Sequence, residues 1–131
     1  MGQPAAKQGD QVVATDTHIV MIPSPGGPVP TPLPHPFTGK LDGALASKVQ
    51  VEGKPAAVQG STATNQPSHI PQGGPFQTPP SNRATVQTGS ATVRIEGKPA
   101  ARNGDTATTC TDPADLPAGT VVAVSKVLIG G

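Results

Sequence analysis

The sequence predicts a small, mainly β protein made of three copies of one unit and stapled by a metal ion. Three observations lead there. A Pro-Ala-Ala-x-x-Gly segment occurs at residues 4–9, 55–60 and 99–104, and a repeat this clear decides the architecture before any local reading does. Each copy is followed by small and β-branched residues suited to short strands: Val12-Val13-Ala14-Thr15, Ser61-Thr62-Ala63-Thr64 and Asp105-Thr106-Ala107-Thr108-Thr109. Large apolar side chains are few, since Leu, Ile, Val and Phe together make about 19% of the 131 residues.

Composition limits the possibilities. Gly and Pro make about a quarter of the chain, near the range of disordered sequences. The net charge of only +1 gives no repulsion to hold the chain open, and the Gly and Pro residues recur in register with the repeat. A core this thin needs a disulfide, a metal or a partner. The single cysteine, Cys110, excludes an internal disulfide. Nucleic acid finds neither a basic stripe nor aromatic stacking platforms. Residues 1–7 lack an apolar stretch, so no signal peptide is expected, and no apolar run is long enough to span a membrane. One domain over 1–131 is expected, with repeat cores near 3–18, 53–69 and 97–110 and no fused effector domain.

Taken in order, Pro fixes φ and the later Gly permits a positive one, so each Pro-Ala-Ala-x-x-Gly reads as a turn that re-aims the chain. Residues 19–37 carry prolines at 23, 25, 28, 30, 32, 34 and 36, which predicts a stiff arm near polyproline II. Residues 42–47 are too short and Gly-broken for a helix. Residues 47–55 alternate apolar and polar, a strand leading into the second copy, and residues 91–99 repeat that lead-in for the third. The second excursion, 70–80, echoes the first down to a Gly-Gly-Pro. Residues 120–125 and 126–131 read as closing strands.

The candidate ligands follow the repeat. His18 and His69 each stand fourteen residues past the proline of their copy, and Cys110 stands eleven past Pro99. Any one of these histidines alone would suit a core or surface role. Equal spacing in two copies, with the only cysteine in the third, points instead to a shared site. His35, held between Pro34 and Pro36, is either incidental to a rigid linker or a fourth ligand on a stiff arm. His18, His35, His69 and Cys110 are four, the number a closed tetrahedral Zn2+ site takes. A structural zinc contributes roughly 10–16 kcal/mol, more than the net stability of most domains. Cys110 closes the open position a catalytic zinc needs, and there is no clear general base, nucleophile elbow or phosphate loop. The site therefore reads as structural, with one Zn2+.

The three copies resemble the PAAR repeats of spike-tip proteins in contractile injection systems. The likeness covers nearly the whole chain, and Pro99-Ala100-Ala101-Arg102 is the motif outright, whereas Lys7 and Val58 hold the Arg position in the other copies. The resemblance implies a small β-rich cone with pseudo-three-fold symmetry, zinc near its tip on His18, His35, His69 and Cys110, and no enzyme activity. It implies that one copy caps a trimeric VgrG-like spike in type VI secretion or in phage-like or extracellular injection particles. There it would sharpen the spike for membrane puncture, meet the target membrane transiently and carry possible effector cargo. Such a protein is made in the cytoplasm, assembled at the apparatus tip, and delivered outside or into a target cell. Val49, Val51, Val93, Ile95, Val121, Val122, Val124, Val127 and Ile129 are the candidate spike-docking residues. Two other functions compete: a small zinc-dependent hydrolase or toxin, and a Pro-rich matrix-binding module without metal.

Overall fold

Short β-branched segments punctuated by Gly and Pro give strands and tight corners throughout. The computed structural model describes residues 2–112 and 114–130. It holds β1 (Gln3–Pro4), β2 (Gln11–Ile22), β3 (Val29–Gly43), β4 (Ala46–Val51), β5 (Lys54–Ala56), β6 (Thr62–Asn65), β7 (Arg83–Val86), β8 (Arg94–Ile95), β9 (Lys98–Pro99), β10 (Thr106–Thr109), β11 (Leu116–Val122) and β12 (Leu128–Ile129). No helix occurs among the described residues. Three antiparallel hairpins, β2–β3, β6–β7 and β10–β11, join edge to edge into a closed six-stranded barrel in the order β10-β11-β2-β3-β6-β7. Each hairpin belongs to one repeat.

Below the barrel lie three two-stranded ladders, β1–β12, β4–β5 and β8–β9. In two of them the corner is a two-residue turn. Glu52 and Gly53 have φ of 51° and 82°, and Glu96 and Gly97 have 52° and 82°, the double positive φ that suits a tight hairpin to strand twist. The remaining ladder is closed from the far end of the sequence. The pair Gln3↔Ile129 stands where Lys54↔Val51 and Lys98↔Ile95 stand in the others. The last strand of the chain is thus the lead-in strand of the first repeat.

The Pro-Ala-Ala segments meet one another. The amide of Ala6 donates to the carbonyl of Ala101, that of Ala101 to Ala57, and that of Ala57 to Ala6, each at 3.0 Å. A second ring runs alongside, from Gln8 to Pro55 at 2.9 Å, Gln59 to Pro99 at 2.9 Å and Asn103 to Pro4 at 2.8 Å. The expected turn is real but lies after the alanines, where Gly9, Gly60 and Gly104 take φ of 91°, 95° and 91°. Both alanines of every copy are at most 1% exposed. The first of each joins a lower core with Val51, Ile95 and Ile129. The second joins the barrel core, where Val12, Ala63 and Ala107 and also Leu41, Val86 and Val121 stand at equivalent points of the three copies. Three backbones this close leave room for a methyl group and little else.

This packing divides the expected docking residues. Val51, Ile95, Val121 and Ile129 are 0–9% exposed because they fill the chain's own two cores, so they are not surface for a partner. Val93 packs partly buried against the lower core. Val49, Val122, Val124 and Val127 are exposed, as is Leu128.

The prolines of residues 19–37 make no free arm. β3 pairs with β2 over twelve rungs, from Gln11↔Lys40 to Ile22↔Val29. Pro30, Pro32 and Pro34 face Met21, Ile19 and Thr17, whose amides point away from β3 to the Pro75 carbonyl, the Asp112 carboxylate and the Thr111 hydroxyl. These are the non-bonded rungs of an antiparallel pair, so a missing N–H removes nothing from the ladder. The prolines are exposed and blunt the outer edge of β3, while His35 and Phe37 on the alternate face point inward and are buried.

The structure also gives the Arg position a role. In each copy the residue three further on caps the backbone amide there: Asp10 on Lys7 at 2.9 Å, Ser61 on Val58 at 2.9 Å, Asp105 on Arg102 at 2.7 Å. Where the cap is an aspartate the capped residue is basic and pairs with it, at 3.1 Å for Lys7–Asp10 and 3.0 Å for Arg102–Asp105. Where the cap is a serine the position is a buried valine. The two positions change together because a largely buried carboxylate needs a countercharge.

Two outcomes are expected. Ala57→Leu should lower stability by about 1–3 kcal/mol or more through overpacking at the ring, read as a fall in the urea midpoint. Arg102→Val should cost about 1–3 kcal/mol by stranding Asp105. Adding Asp105→Ser should recover most of that loss, since the second copy already carries Val with Ser; a double variant weaker than the single one would refute the coupling.

Candidate metal centre

Strand alternation places Asp16, His18 and Val20 of β2 on the inner face, all at most 1% exposed. Cross-strand register sets His35 directly opposite Asp16. Cys110 follows β10 immediately, and His69 follows β6 after a short irregular stretch. Asp16, His18 and His35 of the first repeat, His69 of the second and Cys110 of the third are thus delivered to the upper part of the barrel, on the far side of the barrel core from the Ala ring.

The ligand atoms of Asp16, His18, His69 and Cys110 lie within 4.8 Å of one another. Asp16 Oδ2 is 3.1 Å from His69 Nε2 and 3.4 Å from Cys110 Sγ, and Sγ is 3.8 Å from His18 Nε2. Ligands at zinc bond lengths in a tetrahedron stand roughly 3.3–3.7 Å apart, close to these three separations, while the group as a whole spreads over 4.8 Å. His35 is close, its ring centroid 5.4 Å from that of His18 and 5.5 Å from that of His69. Its Nδ1 lies 3.0 Å from the Leu33 carbonyl, which leaves Nε2 as the nitrogen with a free lone pair. The chain's two phenylalanines border the imidazoles: Phe37 packs 6.1 Å from His69, and Phe76 packs 5.7 Å from His18 and 5.3 Å from His35.

Surrounding side chains fix the rings. Asn65 Nδ2 lies 3.3 Å from His69 Nδ1, which turns the other ring nitrogen, Nε2, toward Asp16 and the cluster. Asn82 Oδ1 accepts from the His69 amide at 2.8 Å and from Asn65 at 3.2 Å. Asp16 also accepts from the Thr109 hydroxyl at 2.5 Å. His18 Nδ1 is buried without a hydrogen-bond partner, with the Asp112 carboxylate 3.6 Å away. Clefts reach the cluster from two sides, one opening on His35 and His69 and one on His18 and Cys110.

Burial favours the neutral forms of His18 and Cys110. Burial, followed by the neighbouring His69, pushes the His18 pKa below its ordinary value. Burial, followed by the charge of Asp16, pushes the Cys110 thiol up to about 11. Neutral imidazole is the form that binds a metal, and a divalent ion would convert the thiol to thiolate. The buried, converging nitrogen, sulfur and oxygen donors could hold a metal such as zinc.

Of the four ligands expected from sequence, the structure gathers His18, His69 and Cys110 and sets His35 beside them. Sequence reasoning missed Asp16, Asn65, Asn82, Thr109 and Asp112. A signal existed for two of them. Asp16 precedes His18 by two in a strand and must share its face. Thr109 precedes Cys110 and stands ten past its proline, as Asn65 does in the second copy.

An all-β ring of three repeats with a buried His/Cys/Asp cluster defines a class of small structural β proteins able to hold a metal. The sequence model of the PAAR motif family matches residues 21–113 and 76–131. The chain belongs to the PAAR motif family, the spike-tip proteins of type VI and other contractile injection systems. Members are structural tip components that bind VgrG spikes and are generally not enzymes. The match begins within β2, yet residues 4–7 ahead of it make the same ring contacts as the later copies. Among curated proteins none matches the chain.

If the thiol is shielded as described, the metal-free native protein should react with iodoacetamide at neutral pH at least tenfold more slowly than the unfolded chain, measured by mass spectrometry at Cys110.

Proposed function

We propose that this protein is the non-enzymatic, zinc-stabilised tip that caps and sharpens a trimeric VgrG-like spike, one copy per trimer, for membrane puncture and delivery of cargo. The observation that carries this reading is the three-fold ring of Pro-Ala-Ala contacts closed within one chain. A trimeric partner presents three equal edges, and a single chain answers them only if its own surface repeats three times. The three ladders β1–β12, β4–β5 and β8–β9 repeat in that way, at the end of the molecule away from the metal cluster. Val49, Val122, Val124, Val127 and Leu128 give that region exposed apolar side chains, and Leu128 is 63% exposed. Docking would cover apolar surface and short strand edges that are a liability in a free monomer.

The opposite end would be the point of a cone, stiffened by one structural Zn2+ on His18, His69 and Cys110 with His35 as the fourth ligand. His18, His69 and Cys110 come from different repeats, so the ion ties the three units together where the large apolar side chains run out. With four protein donors around the ion no place is left for a substrate, which sets aside a zinc hydrolase. The protein would act at the tip of the apparatus, reached from the cytoplasm and ending outside the cell or in a target cell.

Four measurements test this. Purified protein should carry one zinc, and stripping it with a chelator should lower the melting temperature by more than about 10 °C, because the metal contributes several kcal/mol and each one moves a domain of this size by roughly 3–6 °C. Cys110→Ser should lose zinc and fold poorly; a well-folded, zinc-loaded Cys110→Ser would refute the structural role. Mixing with a trimeric spike protein should give one chain per trimer by light scattering. Val124→Asp with Leu128→Asp should weaken that complex at least tenfold without lowering the melting temperature.

A further inference from the structure

Four carboxylates, those of Asp10, Asp16, Asp105 and Asp112, lie largely or wholly inside the chain, with side chains at most 13% exposed. Asp10 and Asp105 each have a basic residue of their own repeat against them. Asp16 has none. It is 0% exposed, and its partners among the described residues are the Thr109 hydroxyl, the Cys110 thiol and the His69 imidazole. A carboxylate that deep needs a countercharge, and around Asp16 the chain places metal-ligating side chains and, among the described residues, no lysine or arginine.

The metal cluster has the opposite imbalance. Zn2+ on one thiolate and neutral imidazoles keeps a net charge of +1 in a site walled by Phe37, Phe76 and the barrel. Asp112, beside His18 Nδ1, is hydrogen-bonded to the Ile19 amide and borders a cleft, where water can screen it. Asp16 is the carboxylate inside the cluster.

Resting on the proposed metal site, we infer that Asp16 is its charge-balancing residue: a positioning carboxylate that neutralises the buried ion and so sets the affinity for a divalent metal. Zinc, thiolate and carboxylate would then sum to zero, and the hydrogen bond from Thr109 holds the carboxylate in place beside the donor cluster. This role also explains why β2 carries Asp-x-His, since alternation puts both groups on the inner face. The aspartate and the metal stabilise each other, and each is a burden alone.

That reciprocity gives a test with opposite signs. Asp16→Asn keeps the shape and an acceptor for Thr109 but removes the charge. Zinc affinity, measured by competition with a chelator on folded protein, should fall about 10–100-fold, the range for groups that support metal ligands. The metal-free variant should melt at the same temperature as metal-free wild type or higher. Zinc bound as tightly by Asp16→Asn as by wild type would overturn the proposal, and so would a metal-free variant less stable than its parent, because both describe a hydrogen-bond acceptor only. If metal-free chains do not fold, the competition measurement alone decides. Wild-type protein that takes up no zinc would instead remove the metal site itself, a result distinguishable from either.

Discussion

The ring of hydrogen bonds among Ala6, Ala57 and Ala101 is the contact on which the rest of the molecule depends. Three backbones approach a common axis, and each supplies the others with partners that would otherwise be buried and unpaired. Alanine suits the place because anything larger would push the three strands apart, and the preceding proline holds each segment extended without needing an amide of its own. From that ring everything else projects. The first alanines seal a lower core with Val51, Ile95 and Ile129, the second alanines floor the barrel, and the positive-φ glycines turn each chain upward into its hairpin.

A chain so poor in large apolar residues cannot rest on hydrophobic burial alone. Its barrel core is mostly Ala and Val, with Leu41 and Phe37 the largest buried side chains. Backbone pairing in rings and ladders supplies order, and the upper barrel, where apolar residues give way to imidazoles, is where a metal can add most. One chain thus carries two regions that gain from an outside partner: exposed valines and Leu128 around the ladders, and a donor cluster under Phe76. A spike tip needs both, an anchored base and a stiff point.

Much of this was legible in the sequence because repetition amplifies weak signals. Three copies of Pro-Ala-Ala identified the unit, and fourteen residues from proline to histidine, twice over, picked out His18 and His69. What escaped depends on contacts between copies. Nothing local shows that residues 126–130 complete the first repeat, since the pairing spans the whole chain. The alternate spacing of the prolines at 30, 32, 34 and 36 fits the non-bonded rungs of a strand, but polyproline II gives an equally good local account. Val51 and Val49 look alike in an alternating strand, and only packing decides that one is core and the other surface. Lys7, Val58 and Arg102 made the Arg position look variable, until their caps Asp10, Ser61 and Asp105 showed that two positions vary as one.

The central claim is that three repeats converge on one ion. X-ray absorption at the zinc edge of the purified protein tests it most directly, because it reads donor types without a mutation and without a spike partner. The account expects a single sulfur at about 2.3 Å with nitrogen donors near 2.0–2.1 Å and the scattering pattern of imidazole rings. An ion surrounded by oxygen alone, or zinc without a sulfur neighbour, would contradict it.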